Sequence, residues 1–176
     1  AGRAQRALME TSLAQREEII AAIRRAGREN AEAMSRLAVQ ETGMGKVADK
    51  IQKNRLVSDK TPGLEDLQPV AWTGDHGFTL VERAPYGLIG AVIPSTNCTS
   101  TVICNGIGMM AAGNAVVFAP NPGAKTSSQT MIQILNRAIV KAGGPANLMV
   151  ALQDPTIESA QALMKHPRIR LLVVTG

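Results

Sequence analysis

The sequence predicts an α/β fold: a parallel sheet with flanking helices, preceded by N-terminal helices and a β-hairpin. Three observations predict it. From Leu88 onward, short apolar runs alternate with helical stretches three times over. Residues 126–142 carry Met131, Ile134, Leu135, Ala138, Ile139 and Ala142 on one stripe, at the i, i+3, i+4 spacing of an amphipathic helix. Two β-rich runs flank Gly74-Asp-His-Gly77, as in a hairpin.

Each element has a local reason. Residues 12–42 read as one long amphipathic helix, with Ile19, Ile23, Ala26, Ala33 and Leu37 at helical spacing. Ser12 and Gln15 fit a capping box at its start, Gly27 weakens its middle, and Gly43 suits its C-cap. Residues 46–57 suit a second helix, which Thr61-Pro-Gly63 breaks. Residues 70–85 form the hairpin. Then come a buried strand at 88–93, a Gly- and Ala-rich helix at 99–112, a strand at 115–119 and the striped helix at 126–142, ended by Gly143-Gly-Pro. A third strand spans 148–152. A short helix follows, capped by Asp154 with Pro155 at its first position, and a fourth strand spans 169–174. Strand–helix–strand repeats with right-handed crossovers give a Rossmann-like sheet. Ligands bind such sheets at the carboxyl ends of the strands. Four polar, turn-rich segments share that rim: Pro94-Ser-Thr-Asn97, Ala119-Pro-Asn-Pro122, Gln153-Asp-Pro155 and Thr175-Gly176.

Composition narrows the classes of function. Aromatics are only 2% of the chain, which disfavours nucleic-acid modules built on base stacking. The net charge of +5 is spread out, with Arg24-Arg25 the longest purely basic run, so it reads as a solvated surface that attracts anionic ligands. No apolar run approaches the roughly 18 residues of a membrane span, and no secretory signal leads the chain. Two cysteines without metal-type spacing read as reduced thiols of a cytoplasmic protein. The first residue is not Met, so a trimmed N-terminus is expected. A chain ending on a strand followed by Thr175-Gly176 is expected to be part of a longer protein.

No single motif identifies the chemistry. Gly106-x-Gly108 and Gly113 lie within or after a helix and before a strand, the reverse of a dinucleotide fingerprint, and read as small residues for close packing. Asn97 has two readings: a cap for the helix that follows, which spacing favours, or an amide donor to a developing oxyanion. Ser95-Thr96 and Thr99-Ser-Thr101 surround that helix N-terminus, whose N–H groups suit an anion or a polarised carbonyl. Cys98 at the strand-to-helix turn is a candidate low-pKa thiol, but neither His76, in the hairpin turn, nor His166, at a helix end, has a spacing that suits it with a base. Cys104 falls within the helix pattern and reads as core.

The order of segments is more specific than any motif. Glu41-Thr-Gly-Met-Gly45 with Asp49-Lys50 and Lys53-Asn54, then Ala84-Pro-Tyr-Gly-Leu-Ile-Gly-Ala-Val-Ile-Pro-Ser-Thr-Asn97, Gly113-Asn-Ala-Val-Val-Phe118, Pro120-Asn-Pro122, and His166-Pro167 followed by Leu171-Leu-Val-Val-Thr-Gly176 resemble the N-terminal part of the CoA-acylating branch of the aldehyde dehydrogenase superfamily. The resemblance covers nearly the whole chain but less than half of a family member. It implies NAD-dependent oxidation of acetaldehyde or propionaldehyde to the acyl-CoA, with NAD as cofactor and coenzyme A as co-substrate. It implies that Asn97 supports the oxyanion, which moves the reading of Asn97 from cap to catalytic support. Ile93, Pro94, Ser95 and Thr96 lie beside the nicotinamide; Pro120, Asn121 and Pro122 beside the ribose; Asp154 and Pro155 near the adenine; Thr175 and Gly176 open the pyrophosphate loop.

Three departures accompany the resemblance. The family's nucleophilic cysteine comes after the Val-Val-Thr-Gly strand, so it is absent here; Cys98 stands where the branch has proline and reads as a pocket-lining residue. Asn121 stands where the branch often has histidine. Ala119 and Pro120 replace the lysine of the non-acylating branch. The resemblance also implies an N-terminal helical segment (1–69), an oligomerisation hairpin (70–86) and the first part of an NAD-binding domain (87–176). It implies a homo-oligomer, without nucleic-acid or membrane partners, in the cytoplasm or inside a bacterial microcompartment. A non-catalytic nucleotide-binding or assembly fragment, or a non-acylating family member, is the alternative reading.

Overall fold

The computed structural model describes residues 1–175. Four helices open the chain: α1 (Gly2–Met9), α2 (Leu13–Glu29), α3 (Ala31–Thr42) and α4 (Val47–Lys60). A 3-10 turn, Leu64–Leu67, leads to a hairpin of β1 (Val70–Gly74) and β2 (Gly77–Val81). Then β3 (Leu88–Ile93), α5 (Cys98–Ala111), β4 (Ala115–Pro120), α6 (Lys125–Lys141), β5 (Met149–Ala151), α7 (Ile157–Lys165) and β6 (Leu171–Val174) alternate as the sequence predicts. The four later strands form one parallel sheet in the order β5-β4-β3-β6. The chain winds outward from β3 through β4 to β5, then returns to lay β6 against the other side of β3. That reversal makes the carboxyl end of β3 the topological switch point, where such sheets hold their ligands.

Burial explains the strand assignments. Every residue of β3 and β4 is buried or half-buried, as a central parallel strand covered on both faces must be. Strand β6 alternates half-buried and exposed. The N-terminal helices share the core with the sheet: Leu8, Ile19, Ile20 and Ile23 join Ile89, Ile103, Ile107, Phe118, Met131 and Leu135 in one cluster. Each such side chain, taken out of water, contributes ~1.5–3 kcal/mol. The hairpin stands apart, with all ten strand residues exposed, Trp72 and Phe78 among them.

The structure corrects four local readings. The helix expected over 12–42 is two helices, because Asn30 (φ −98°, ψ 6°) turns its side-chain Nδ2 back onto the Ala26 carbonyl at 2.9 Å and competes with the helical ladder. The break is a single residue, so the apolar period runs across it. Helix α1 has no counterpart in the sequence reading; its buried face is only Ala4 and Leu8. Helix α7 is capped by Thr156, not Asp154: Thr156 and Ser159 form a reciprocal capping box at 2.8 and 3.1 Å, and Pro155 is buried just before it. The capping box expected at Ser12 is half made. Ser12 Oγ accepts from Gln15 N at 3.1 Å, but the Gln15 amide donates to Gly143 O instead.

Gly27 belongs to the packing of α2 on α4. A Cβ there would lie 2.3 Å from Ser58 Oγ and 3.4 Å from Ile103 Cδ1. Alanine gains about 1 kcal/mol of helix propensity, while overpacking costs ~1–3 kcal/mol. Gly27→Ala is expected to give a net loss of about 1–2 kcal/mol in urea unfolding. Adding Ser58→Ala, which removes the colliding oxygen, is expected to cost less than the sum of the two single changes.

Candidate active site

The polar turn after β3 is held from a distance by one face of α4. Lys50, Lys53 and Asn54 stand at i, i+3 and i+4, so they project from the same side of the helix. Lys50 Nζ donates to the Thr96 carbonyl at 2.7 Å. Lys53 Nζ donates to Asn97 Oδ1 at 2.8 Å. Asn54 Oδ1 accepts from Thr99 Oγ1 at 3.0 Å, and its Nδ2 donates to Ser35 Oγ at 3.1 Å. Lys50 and Asn54 are buried, so their polar ends require these partners.

Asn97 is the N-cap residue of α5 by position, yet its side chain makes no capping bond. An ammonium group can only donate, so the carbonyl end of the amide must face Lys53. The NH₂ end is thereby directed away from it, and among the described residues it makes no hydrogen bond. The first turn of α5 also lacks a side-chain acceptor, so its N–H groups face the switch point uncapped.

The neighbouring helix end is already closed. Glu41, at the end of α3, accepts from Thr126 N and Ser127 N at 2.7 Å each and from Ser127 Oγ. Burial pushes the Glu41 carboxyl up, but the bonds from Ser127 and Thr126 outweigh it and hold the group below its ordinary value. Of the three helix N-termini on this rim, α6 is closed by the Glu41 carboxylate and α7 by Thr156, while α5 has no side-chain cap. Backbone bonds fix the strand ends: Asn121 N to Ile93 O at 3.1 Å, and Thr175 N to Val92 O at 3.1 Å.

The structure brings most of the expected residues to this rim. Ile93 is buried, Pro94 and Ser95 are half-buried, and Thr96 is exposed. Pro120 is the last residue of β4 and pairs with Ile93. Asn121 caps the 3-10 turn Pro122–Ala124, its Oδ1 accepting from Gly123 N at 2.9 Å. Asp154 pairs with Lys125 Nζ at 2.6 Å, joining the β5–α7 loop to the start of α6. Gly176, part of the expected pyrophosphate loop, lies outside the described residues.

Cys98 does not line a pocket. It is fully buried against Ala38 and Ala124, and burial, partly opposed by Lys50, pushes its thiol up. It is packing. Cys104 is half-buried. Gly106 is a close approach, since a Cβ there would meet Met149 at 2.5 Å, whereas Gly108 has open space around it. His76 sits in the exposed hairpin turn, and His166 Nδ1 accepts from Arg168 N at 3.2 Å.

Sequence reasoning missed the holding roles of Lys50, Lys53, Asn54 and Glu41. The i, i+3, i+4 spacing of Lys50, Lys53 and Asn54 was visible, but nothing local says which segment such a polar face meets. A cavity of about 480 Å³ lies at the opposite end of the sheet, between Arg83, Ile89, Met109 and Leu171, and includes none of the rim residues. Among the described residues no cluster suits a metal ion, and no helix is long and apolar enough to cross a membrane.

Comparisons with known proteins match the chain over its whole length. The whole chain, residues 1–176, matches the "Aldehyde dehydrogenase family". It is 60% identical over 166 residues to an acetylating acetaldehyde dehydrogenase of Bilophila wadsworthia, covering 94% of this chain and 34% of that protein. A propionaldehyde dehydrogenase from the fucose utilisation microcompartment of Clostridium phytofermentans superposes with a TM-score of 0.97 at 49% identity, over 100% of this chain and 40% of that one. A Rhodopseudomonas palustris propionaldehyde dehydrogenase, solved with bound CoA and an acylated cysteine, gives a TM-score of 0.96 at 46% identity, again over 100% and 40%. The chain thus spans about a third of the length of the curated relatives it matches.

Glu41 generates a pH prediction. Its carboxylate pKa is lower when folded than the ordinary 4.5, so its contribution is complete above that value and is lost as pH falls through the folded one. Glu41→Ala is expected to cost ~1–2 kcal/mol at pH 7, the loss of a helix cap. The variant should also lose less further stability than the parent between pH 4.5 and pH 3, as followed by urea midpoints.

Proposed function

Because the chain belongs to the aldehyde dehydrogenase family, we propose that the protein carrying it oxidises acetaldehyde or propionaldehyde to the acyl-CoA, with NAD as oxidant. The observation that carries this reading is the free NH₂ end of Asn97, held at the switch point above the uncapped start of α5. A thiolate beyond Gly176 attacks the aldehyde carbon, and its oxygen gains negative charge. Asn97 Nδ2–H and an N–H of the first turn of α5 donate to that oxygen. Because Lys50 and Lys53 pin the turn beforehand, no reorganisation is needed as the charge develops. Bound NAD supplies the hydride acceptor, and CoA takes up the acyl group from the cysteine thioester.

The donor set of the rim fits a dinucleotide. Its one unshielded helix N-terminus, with Lys50, Lys53 and Lys125 nearby, favours an anionic ligand, and its two carboxylates are already engaged, Glu41 by amides and Asp154 by Lys125. Ile93, Pro94, Ser95 and Thr96 would border the nicotinamide, and Pro120, Asn121 and Pro122 the ribose. Asn121 spends its Oδ1 on its own turn, which leaves Nδ2 for a ribose hydroxyl. Asp154 and Pro155 would edge the adenine, and Thr175 and Gly176 would lead to the pyrophosphate. The exposed hairpin (70–86) is the segment through which copies of the protein associate, between the helical segment (1–69) and the nucleotide-binding part (87–176). The enzyme works in the cytoplasm or inside a bacterial microcompartment, and the relative from such a compartment supports the second placement.

The test uses the complete protein. NADH formation from propionaldehyde is expected to require CoA; equal rates without CoA would place the protein in the non-acylating branch. Asn97→Ala is expected to lower kcat by about 10²–10³, the effect of deleting one oxyanion donor. An unchanged kcat would remove Asn97 from the chemistry.

A further inference from the structure

We infer that Lys53 is a positioning residue for the reaction, acting through Asn97. The inference rests on the oxyanion reading of Asn97 given above. Residues 96, 97 and 99 are each gripped by α4, but the three grips differ in kind. Lys50 holds a backbone carbonyl and Asn54 holds a hydroxyl, both in buried positions, and both secure the path of the chain. Lys53 alone holds the functional side chain, and it does so from an exposed position.

That contact has two effects. First, it selects one of the two amide orientations. Rotating the Asn97 amide by half a turn would set an NH₂ group against an ammonium, two donors with no acceptor between them. The bond therefore keeps Nδ2, and not Oδ1, toward the open side of the turn, and an oxyanion needs the donor there. Second, a cation on Oδ1 draws electron density through the amide and makes Nδ2–H a stronger donor. Neither effect is needed for folding. Lys53 is solvated, its bond is exposed, and the turn keeps its buried anchors at Lys50 and Asn54. No carboxylate is paired with Lys53: Glu41 is taken up by Thr126 and Ser127, and the four ion pairs among the described residues involve other cations.

The experiment is a double-mutant cycle in the complete enzyme, using propionaldehyde, NAD and CoA. Lys53→Met keeps the length of the side chain and removes the donor. It is expected to lower kcat about tenfold, with KM for NAD and for aldehyde within about twofold of the parent. Lys53→Arg, which retains a cationic donor, is expected to recover most of that loss. On the Asn97→Ala background, Lys53→Met is expected to change kcat by less than about twofold, since the group it positions is gone. Unchanged thermal midpoints would set these effects apart from folding. Each alternative outcome is distinct. If Asn97→Ala is impaired but Lys53→Met is not, the positioning role is overturned and the oxyanion reading stands. If the two losses multiply in the double variant, Lys53 acts independently of Asn97 and the inference fails. If Asn97→Ala leaves kcat unchanged, both the reading and the inference built on it fail.

Discussion

The site depends on how a central, largely buried strand ends. Strand β3 delivers its buried last residue, Ile93, from the centre of the sheet into a turn that is half-buried or exposed until the buried start of α5. The Thr96 carbonyl, the Asn97 Oδ1 and the buried Thr99 hydroxyl each have a partner in the protein. They find them on α4, more than 40 residues earlier in the chain, through Lys50, Lys53 and Asn54. A turn satisfied in this way is rigid, and a rigid turn can present an unpaired amide in one direction. Lys50 and Asn54 secure the path of the turn, and Lys53 aims the amide that the turn presents.

The same logic ties the N-terminal helices to the sheet. Helix ends leave backbone groups without partners, and this chain satisfies several of them with side chains from distant elements. Arg24 of α2 donates to the Ser58, Asp59 and Thr61 carbonyls at the end of α4. Arg16, also of α2, reaches the Ala111 carbonyl at the end of α5, at 3.2 Å. Glu41 closes the start of α6. These long-range caps add direction to an apolar interface that by itself has little. Among them, Arg24 ties the end of α4, the helix that grips the turn, to α2.

Much of the fold was legible because its signals are local. The alternation of apolar runs gave β3 at its observed bounds, and the stripe from Met131 to Ile139 gave α6 within one residue at each end. The hairpin was visible in its two-residue turn. What was lost was the short helix α1, whose buried face is only Ala4 and Leu8, a single-residue event, or a contact between distant segments. The Asn30 break leaves the helical period intact, so periodicity cannot register it. Thr156 displaced Asp154 as a cap because Ser159 completes a reciprocal pair with it, while Asp154 is drawn to Lys125. Asn97 showed the limit most clearly. Its position marked a cap, the resemblance alone pointed to catalytic support, and the ammonium of Lys53, remote in sequence, holds its side chain where it makes no capping bond.

The isolated hairpin has an optical consequence. Trp72 is the chain's one tryptophan, and it lies on β1, 58% exposed, away from the core. Indole fluorescence therefore reports the surroundings of the hairpin and little of the sheet or its rim. Far-ultraviolet dichroism, dominated by seven helices among the described residues, reports the remainder. The molecule thus carries two spectrally separate channels, so that covering the hairpin and melting the core can be followed in one sample without a label.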